Sequence, residues 1–534
     1  MRHLLTAAAA ALLLPVAPAA AAPRVPAAPM QLPGDAAASA VRADGATWIV
    51  GARPTAASAA LAKAAGGSRI IAGSWEVPRA SARGLATALR ARHLLTYAEP
   101  NRYSTLHQAP RAVAQDPLDA QDPWRDAAVD PTLVPPVVTP QSPAVGLVDA
   151  KADTSHPEFG SGNVTTLSGQ SVQITHGTAT AGVAAAPQNG FGMVGVWPGM
   201  RAINVPLPAD SISCSDSAKG IVRAISAGVA VINMSYGSSS FCETEYEALQ
   251  LATLKGITLV AAAGNEFDQG NPLEFPASLP HVLTVGASTP DDKAAFFSNE
   301  NAAMDLVAPG VSIVTTVPIA LDTEDGTQDG YEIVDGTSFS APMVAAASAW
   351  VRAARPDLTV DQVAQVIRLS ARDIGDPGYD ASTGFGALNL AGALVKQPPI
   401  ADPKEPNDDI RFVDGRAFGK PDKPVWSGGS RVTMQALLDY YEDPYDVYRL
   451  RVPAHQRVHV AVTPTFGNPD VELYSSAATQ VATAKHRIAR SRHSGKAIDR
   501  VAYSNHTSRT RTVYVNVYVP RQKTLDAGYK LSVR

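Results

Sequence analysis

Three things are scarce in this chain: surplus charge of one sign, cysteine, and long apolar runs. Its 45 Lys and Arg face 49 Asp and Glu, a net charge of −4 over 534 residues. So small an imbalance leaves no electrostatic footprint for a nucleic acid, and no such partner is expected. Charged residues are 18% and hydrophobic residues 45% of the chain, a globular composition, and the length suggests roughly three folded units. The longest apolar run, Leu4 to Val16, follows a short basic start and precedes the small-residue tract Ala17 to Ala22. It is shorter than the ~18–20 residues a spanning helix needs, and Pro15 interrupts it. It therefore reads as a signal peptide over residues 1–21, cut near Ala19 to Ala21, which implies a secreted, extracellular protein not inserted in a membrane. Only Cys214 and Cys242 are present. In an oxidising compartment two lone cysteines pair, and two separate buried thiols are the alternative that sequence leaves open.

What is present changes character along the chain. Residues 23–35 are rich in Pro and Ala. From Thr47 to about Arg102 short strands (Trp48 to Val50, Ile70 to Ala72, Leu94 to Tyr97) alternate with helix formers at Ala56 to Ala65 and Ser81 to Arg92, which reads as a small α+β unit. A Pro- and Asp-rich stretch follows, Asp116 to Pro143. From Ala144 to about Val395 apolar runs at 144–148, 229–234, 257–262 and 282–286 alternate with helices, the pattern of strands buried on both faces of a parallel sheet. One helix is expected from Ser215 or Asp216 to Gly228 and another from Thr244 to Gly256, and Thr359-x-x-Gln362 is a capping box. After Pro398 alternating β-branched and aromatic residues at 458–462, 471–474, 511–519 and 529–533 predict an all-β sandwich. The fold class expected is thus α/β, a doubly wound and mostly parallel sheet, preceded by a small α+β unit and followed by the sandwich.

Side chains that converge in a parallel sheet sit at strand C-termini and adjoining helix N-termini. Asp149 ends the run Ala144 to Val148, where a carboxylate can hold a histidine in one tautomer. His176 opens a Gly/Ala-rich helix. Ser338 starts a helix apolar on nearly every side, whose N-terminal dipole favours a developing negative charge. Asn265 follows the 257–262 strand, where an amide can donate to an oxyanion. Each alone has an ordinary reading, as a turn cap, a core histidine or a helix start. Together they supply a nucleophile, a base and an oxyanion donor.

Val148-Asp149 with His156-Pro157, His176-Gly177-Thr178 with Ala181-Gly182, and Gly336-Thr337-Ser338 with Ala341-Pro342 resemble the three motifs of the subtilisin family of serine peptidases. The resemblance spans residues 144–397. It implies a secreted endopeptidase acting through an acyl-enzyme, with Ser338 as nucleophile, His176 as base, Asp149 as orienter, and Asn265 and the Ser338 N–H as oxyanion donors. It implies further that Ser235, Tyr236 and Gly237, in Asn233 to Gly237, pair with an extended peptide, and that Ala263 and Gly264 help wall the first pocket. Small walls favour apolar or aromatic side chains, and Glu266 at the rim is expected to add tolerance for Lys or Arg. Cys214 and Cys242 flank the substrate strand, where a disulfide would brace its loops. One departure stands out. The family usually follows its aspartate with a small hydroxyl residue and glycine, whereas here Ala150 and Lys151 follow.

Residues 36–108, ending near Tyr97 to Asn101, resemble the family's inhibitory propeptide, with self-cleavage expected between about Tyr103 and Asp122. Residues 109–143 would be a linker or the start of the mature enzyme. Residues 404–534, with Glu405 to Asp408 and Asp443 to Tyr448, resemble the C-terminal β-domain of bacterial secreted peptidases. The expected partners are protein or peptide substrates and the chain's own propeptide, and the enzyme is expected to be a monomer. No cofactor is required and no metal ligand is assigned, but structural calcium is often found in this family. The acidic loop 322–329 is a candidate for it, and reads first as a solvated hairpin. The basic stretch Lys485 to Lys496 reads as a solvated loop. A catalytically silent relative is the competing reading, motivated by Ala150-Lys151. An esterase with Gly-x-Ser-x-Gly is excluded by Phe339-Ser340 after Ser338 and by the order Asp, His, Ser.

Overall fold

The computed structural model describes residues 43–106, 123–209, 211–520 and 526–534. The expected signal peptide and residues 107–122 of the expected processing region lie outside them. The N-terminal unit runs β1 (Ala43–Ala52), α1 (Ala56–Ala64), β2 (Ser68–Ile71), β3 (Ser74–Pro78), α2 (Arg79–Arg90) and β4 (Leu95–Leu106). Strand β3 was not expected from sequence, because Trp75-Glu76-Val77 is short and carries a charge. It pairs antiparallel with β1 and β2, and β1 pairs antiparallel with β4.

After the short helix α3 (Pro123–Ala128) comes a seven-stranded, wholly parallel sheet. Its elements in chain order are β5 (Val145–Asp149), β6 (Val164–Thr166), α4 (His176–Ala185), β7 (Ala202–Pro206), β8 (Ile212–Ser213), α5 (Cys214–Ser226), β9 (Val231–Met234), β10 (Tyr236–Gly237), α6 (Glu243–Leu254), β11 (Thr258–Ala262), β12 (Val282–Ser288) and β13 (Leu306–Pro309). The strand order is β13-β12-β11-β9-β5-β7-β6, with β8 and β10 outside that sheet. The hairpin β14 (Ile313–Thr316) and β15 (Tyr331–Val334) leads into α7 (Thr337–Ala354), α8 (Val360–Leu369) and α9 (Leu390–Val395).

Alternation along β5 explains the double winding. Val145 and Leu147 join the core built with α4 and α7, while Val148 joins the opposite core with α5 and α6. Both faces are covered, so the strands carry no polar face, as their sequence predicts. α5 starts at Cys214 behind the capping box Ser213/Asp216, and α6 at Glu243, each a residue or more before the expected start. Cysteine is a poor start signal, and the loops that place these helices are tertiary.

The two cysteines form a disulfide, Cys214–Cys242, with a Cα–Cα distance of 6.0 Å. It ties the first residue of α5 to the residue capping α6, across 28 positions of chain. Closing a loop of that length stabilises by about 3–4 kcal/mol in the chain-entropy account. Replacing both cysteines by serine is therefore expected to lower stability by about that amount in urea unfolding of the full chain, with the midpoint shifted.

The C-terminal region is a sandwich of two four-stranded antiparallel sheets. After α10 (Ile410–Val413) come β16 (Val432–Asp439), β17 (Tyr445–Val452), β18 (Arg457–Phe466), β19 (Asp470–Ser475), β20 (Arg487–Ser491), β21 (Asp499–Ser504), β22 (Arg511–Tyr518) and β23 (Asp526–Val533). One sheet is β16-β23-β18-β21 and the other β17-β22-β19-β20. The basic stretch 485–496 is corrected here: it contains the edge strand β20 rather than only a loop. Arginines at an edge keep that strand from recruiting another one.

Candidate active site

Asp149 ends β5, and its side chain is wholly buried. His176 is the first residue of α4, fixed there by Gly177. A Cβ on Gly177 would stand 2.0 Å from the Ala150 carbonyl oxygen, so only glycine lets the helix press against the turn after Asp149. His176 Nδ1 donates to Asp149 Oδ1 at 2.7 Å, which assigns the tautomer and leaves Nε2 as the acceptor. Asp149 Oδ1 also accepts the Ala150 N–H at 2.7 Å, and Oδ2 accepts the Thr180 hydroxyl at 3.0 Å.

The turn holding Ala150-Lys151 needs no glycine. Neither residue adopts a positive φ. Asn204 holds the turn, donating Nδ2 to the Ala150 carbonyl at 2.9 Å and accepting the Ala152 N–H at 3.0 Å.

Ser338 lies in the first turn of α7, with the Phe339 ring 5.7 Å from the His176 ring, centre to centre. Its hydroxyl donates to the Ser235 carbonyl at 3.2 Å, and His176 Nε2 has no hydrogen-bond partner. The aspartate and histidine are thus paired, whereas the serine is not bonded to the histidine. Asn265 is held by its carbonyl oxygen, which accepts the Thr337 N–H and hydroxyl, both at 3.0 Å. Its buried Nδ2 has no partner.

Of the residues expected to bind substrate, Tyr236 and Gly237 form β10, which pairs antiparallel with Leu106 and Thr105 of β4. On the other side β4 pairs with β8, Tyr103 facing Ser213 and Ser104 facing Ile212. An extended segment of this chain therefore already runs between β8 and β10. The Tyr236 side chain faces away into the core, hydrogen-bonded to Ser217 at 2.8 Å, and Ser235 Oγ donates inward to the Ser338 carbonyl at 2.8 Å. These two residues present backbone, not side chain, to a neighbouring strand. Ala263 is buried, and Gly264 has φ 106°. A Cβ on Gly264 would meet Asn299 Nδ2 at 2.4 Å. Glu266 is tied down, accepting the Asn265 N–H at 2.7 Å and an Asn299 amide hydrogen at 3.3 Å.

The N-terminal unit docks through the Tyr97 to Arg102 segment. The Glu99 carboxylate accepts the N–H groups of Glu243 and Thr244, both at 3.0 Å, and so caps α6. Asn101 accepts the Ser215 N–H of α5 at 2.8 Å. Ser74 and Tyr97 hydroxyls both donate to Glu247 Oε2 at 3.1 Å. Burial pushes Glu99 up to about 7 and Glu247 up to about 8. Sequence reasoning singled out 97–101 but not the residues of α5 and α6 that receive it.

Among the described residues, the acidic loop 322–329 brings no three carboxylate oxygens within 4.8 Å of one another, although Asp322 Oδ1 and Asp325 Oδ2 have no hydrogen-bond partner. Asp325 Oδ1 is taken by the Thr327 N–H and hydroxyl, and Asp329 Oδ1 by the Tyr331 N–H. Elsewhere Asp402, Glu405, Asp443 and Asp446 each bring a carboxylate oxygen within 4.8 Å of all the others. Asp402, Asp443 and Asp446 each keep one buried oxygen without a hydrogen-bond partner. Burial and mutual repulsion push Asp402, Glu405 and Asp443 well above the carboxylate range. Sequence reasoning noted Glu405 to Asp408 and Asp443 to Tyr448 only as domain landmarks. The pairing of linker and sandwich that brings them together is not visible in one dimension.

An aspartate at the end of a parallel strand, hydrogen-bonded to a histidine that opens a helix, is compatible with the layout of a serine hydrolase. The family model described as the subtilase family matches residues 127–386. Subtilisin DY of Bacillus licheniformis is 34% identical over 257 residues, which is 47% of this chain and 89% of that protein. Alkaline elastase YaB of a Bacillus strain is 35% identical over 220 residues, covering 41% of this chain and 54% of the elastase. Subtilisin E of Bacillus subtilis is 33% identical over 258 residues, 47% of this chain and 65% of that one. Among solved structures, fervidolysin from Fervidobacterium pennivorans matches with TM-score 0.55 and 18% identity, over 86% of this chain and 85% of that one, a likeness of fold. The chain belongs to the subtilase family and is a serine-type endopeptidase. No family match covers the C-terminal sandwich, and no helix among the described residues is long and apolar enough to cross a membrane.

Proposed function

We propose that this chain is a secreted precursor that cuts itself and then hydrolyses peptide bonds in other proteins, through Ser338, His176, Asp149 and Asn265. The observation that carries the reading is the Asp149–His176 hydrogen bond, which leaves Nε2 free on the side of α7. The reading requires rotation about the Ser338 Cα–Cβ bond to carry the hydroxyl from the Ser235 carbonyl to Nε2. His176 then takes the hydroxyl proton as Ser338 Oγ attacks the scissile carbonyl, and Asp149 stabilises the imidazolium. The oxyanion receives Asn265 Nδ2–H and the Ser338 N–H. His176 passes its proton to the leaving amine, and water repeats the sequence to free the acid. Ser235 to Gly237 pair with the substrate backbone, and Ala263 and Gly264 wall the first pocket, favouring apolar or aromatic side chains. The test is an active-site phosphonate: it labels the matured chain at Ser338, and no labelling at all would favour a silent relative.

The N-terminal unit is read as the inhibitory propeptide, because β4 occupies the groove between β8 and β10 where a substrate strand would lie. Its docking is expected to weaken with pH. Glu99 and Glu247 bind protons more tightly when docked than free, so the stabilisation is full below about 4.5 and is lost as pH rises towards 7 to 8. In the full-length Ser338→Ala chain, an added protease is expected to cut within residues 43–106 several-fold faster at pH 8.5 than at pH 6, after correction for that protease's own pH profile. Glu247→Gln should flatten the difference.

For structural calcium we propose Asp402, Glu405, Asp443 and Asp446 in preference to the 322–329 loop. Four converging carboxylates, three of them with a buried oxygen that has no hydrogen-bond partner, suit a hard divalent cation with oxygen ligands. Its task there is structural, joining the linker after the peptidase domain to the sandwich.

A further inference from the structure

Asp149 is buried and carries a charge whose oxygens all need donors. In the subtilisin-like pattern a hydroxyl residue follows this aspartate, and here Ala150 has none to offer. Its N–H serves Oδ1, the oxygen that also takes His176. For Oδ2 the donor in the structure is Thr180 Oγ1, at 3.0 Å.

Thr180 sits four residues after His176 on α4, so the two side chains lie one above the other on one face of the helix. That face meets the end of β5, and the pair brackets the carboxylate, histidine on one oxygen and threonine on the other. The alternative for the threonine is ordinary back-bonding to its own helix, and the Gly177 carbonyl oxygen is 3.3 Å away. A hydroxyl has one proton, however. Between a neutral carbonyl at 3.3 Å and an ionised carboxylate at 3.0 Å the charged acceptor forms the stronger bond. Thr180 is wholly buried, so water does not compete for it.

We infer that Thr180 is a positioning residue for the reaction, supplying from the histidine helix the hydroxyl that the residue after Asp149 lacks. It fixes the carboxylate plane, and through it the imidazole, so that Nε2 faces the nucleophile. This rests on the proposed roles of Asp149, His176 and Ser338, and the test separates the two.

Matured wild type, Thr180→Val, Thr180→Ser and Thr180→Ala are compared, each quantified by phosphonate titration so that only competent sites are counted. Thr180→Val keeps the shape and removes the donor. Its kcat per titrated site is expected to fall roughly tenfold or more, with KM within twofold, the size of a lost hydrogen bond to a charged group. The downfield NMR resonance of the His176 Nδ1 proton should shift or broaden with it. Thr180→Ser, which keeps the hydroxyl, should stay within twofold of wild type and keep the resonance. Thr180→Ala provides the same comparison should the valine chain not fold. A kcat for Thr180→Val within twofold of wild type overturns the inference. So does an equal loss in the serine and valine chains, which would report packing instead. A wild type that takes no phosphonate overturns the proposed catalytic roles, not this assignment alone.

Discussion

Ser338→Ala is expected to leave the full-length chain uncut and without peptidase activity, with kcat down about 10⁶-fold, a magnitude known from subtilisin, to which this chain is related. The loss is large because nucleophile and base act as a unit. Without Oγ, the Asp149–His176 pair has nothing to deprotonate, and what remains is binding and the oxyanion donors. The same substitution separates self-cleavage from cleavage by a contaminating protease. Wild type purified alongside should lose its N-terminal unit, with a new N-terminus inside residues 107–122, just past the segment held between β8 and β10. The measurement is intact mass together with casein hydrolysis. A Ser338→Ala chain that shortened as wild type does would refute self-processing, and one that still digested casein would refute the assignment of the nucleophile. The fold should survive, since Ser338 is fully buried and the change removes one oxygen.

Removing calcium is expected to have the second largest effect, on stability rather than on chemistry. Asp402, Glu405, Asp443 and Asp446 repel one another in a buried place, so the ion-free chain must protonate some of them or move them apart. A cation present at a thousandfold its dissociation constant stabilises by about 4 kcal/mol. In a domain of this size that corresponds to a Tm higher by about 10 °C. Scanning calorimetry with calcium and with a chelator measures the difference. In Asp443→Asn/Asp446→Asn the response to calcium should vanish, and the variant with chelator should be at least as stable as chelated wild type, because two repelling charges have gone. An unchanged Tm for wild type in calcium and in chelator would remove the ion from this cluster. Lowering pH towards 5 should narrow the gap between calcium and chelator, since carboxylates pushed upward by burial and by their neighbours protonate first and relieve the repulsion without a metal.

The helices, the parallel strands and the sandwich were legible wherever a period or a continuous apolar run was long enough. Val145 to Val148 and Val282 to Gly286 announce buried strands by having no polar face. Strands β16, β17 and β21 are not legible in the sequence: charged residues interrupt β17 and open β21, Gln435 and a terminal Asp439 mark β16, and it is pairing that makes them strands. Within the site, Asp149, His176, Ser338 and Asn265 could each be named from a motif at an element boundary. Thr180 could not, although a hydroxyl four residues after the histidine, combined with its absence at 150, is in hindsight the signal. The acidic loop at 322–329 is a calcium candidate because its charges are adjacent in sequence, yet among the described residues no three of its carboxylate oxygens lie within 4.8 Å of one another. The four carboxylates that do converge are spread from 402 to 446.

By itself the sequence determined the kind of chemistry available and the order of its units, because residue type and apolar period are local properties that survive without a fold. Tertiary structure alone decided which oxygen of Asp149 meets which donor, that the serine rests on Ser235 rather than on His176, and that β4 fills the groove between β8 and β10. It also decided that Cys214 and Cys242 lie 6.0 Å apart at the heads of two helices. These are facts of distance between segments far apart in the chain, and distance is set by how two cores close on either side of one sheet, which no local pattern encodes.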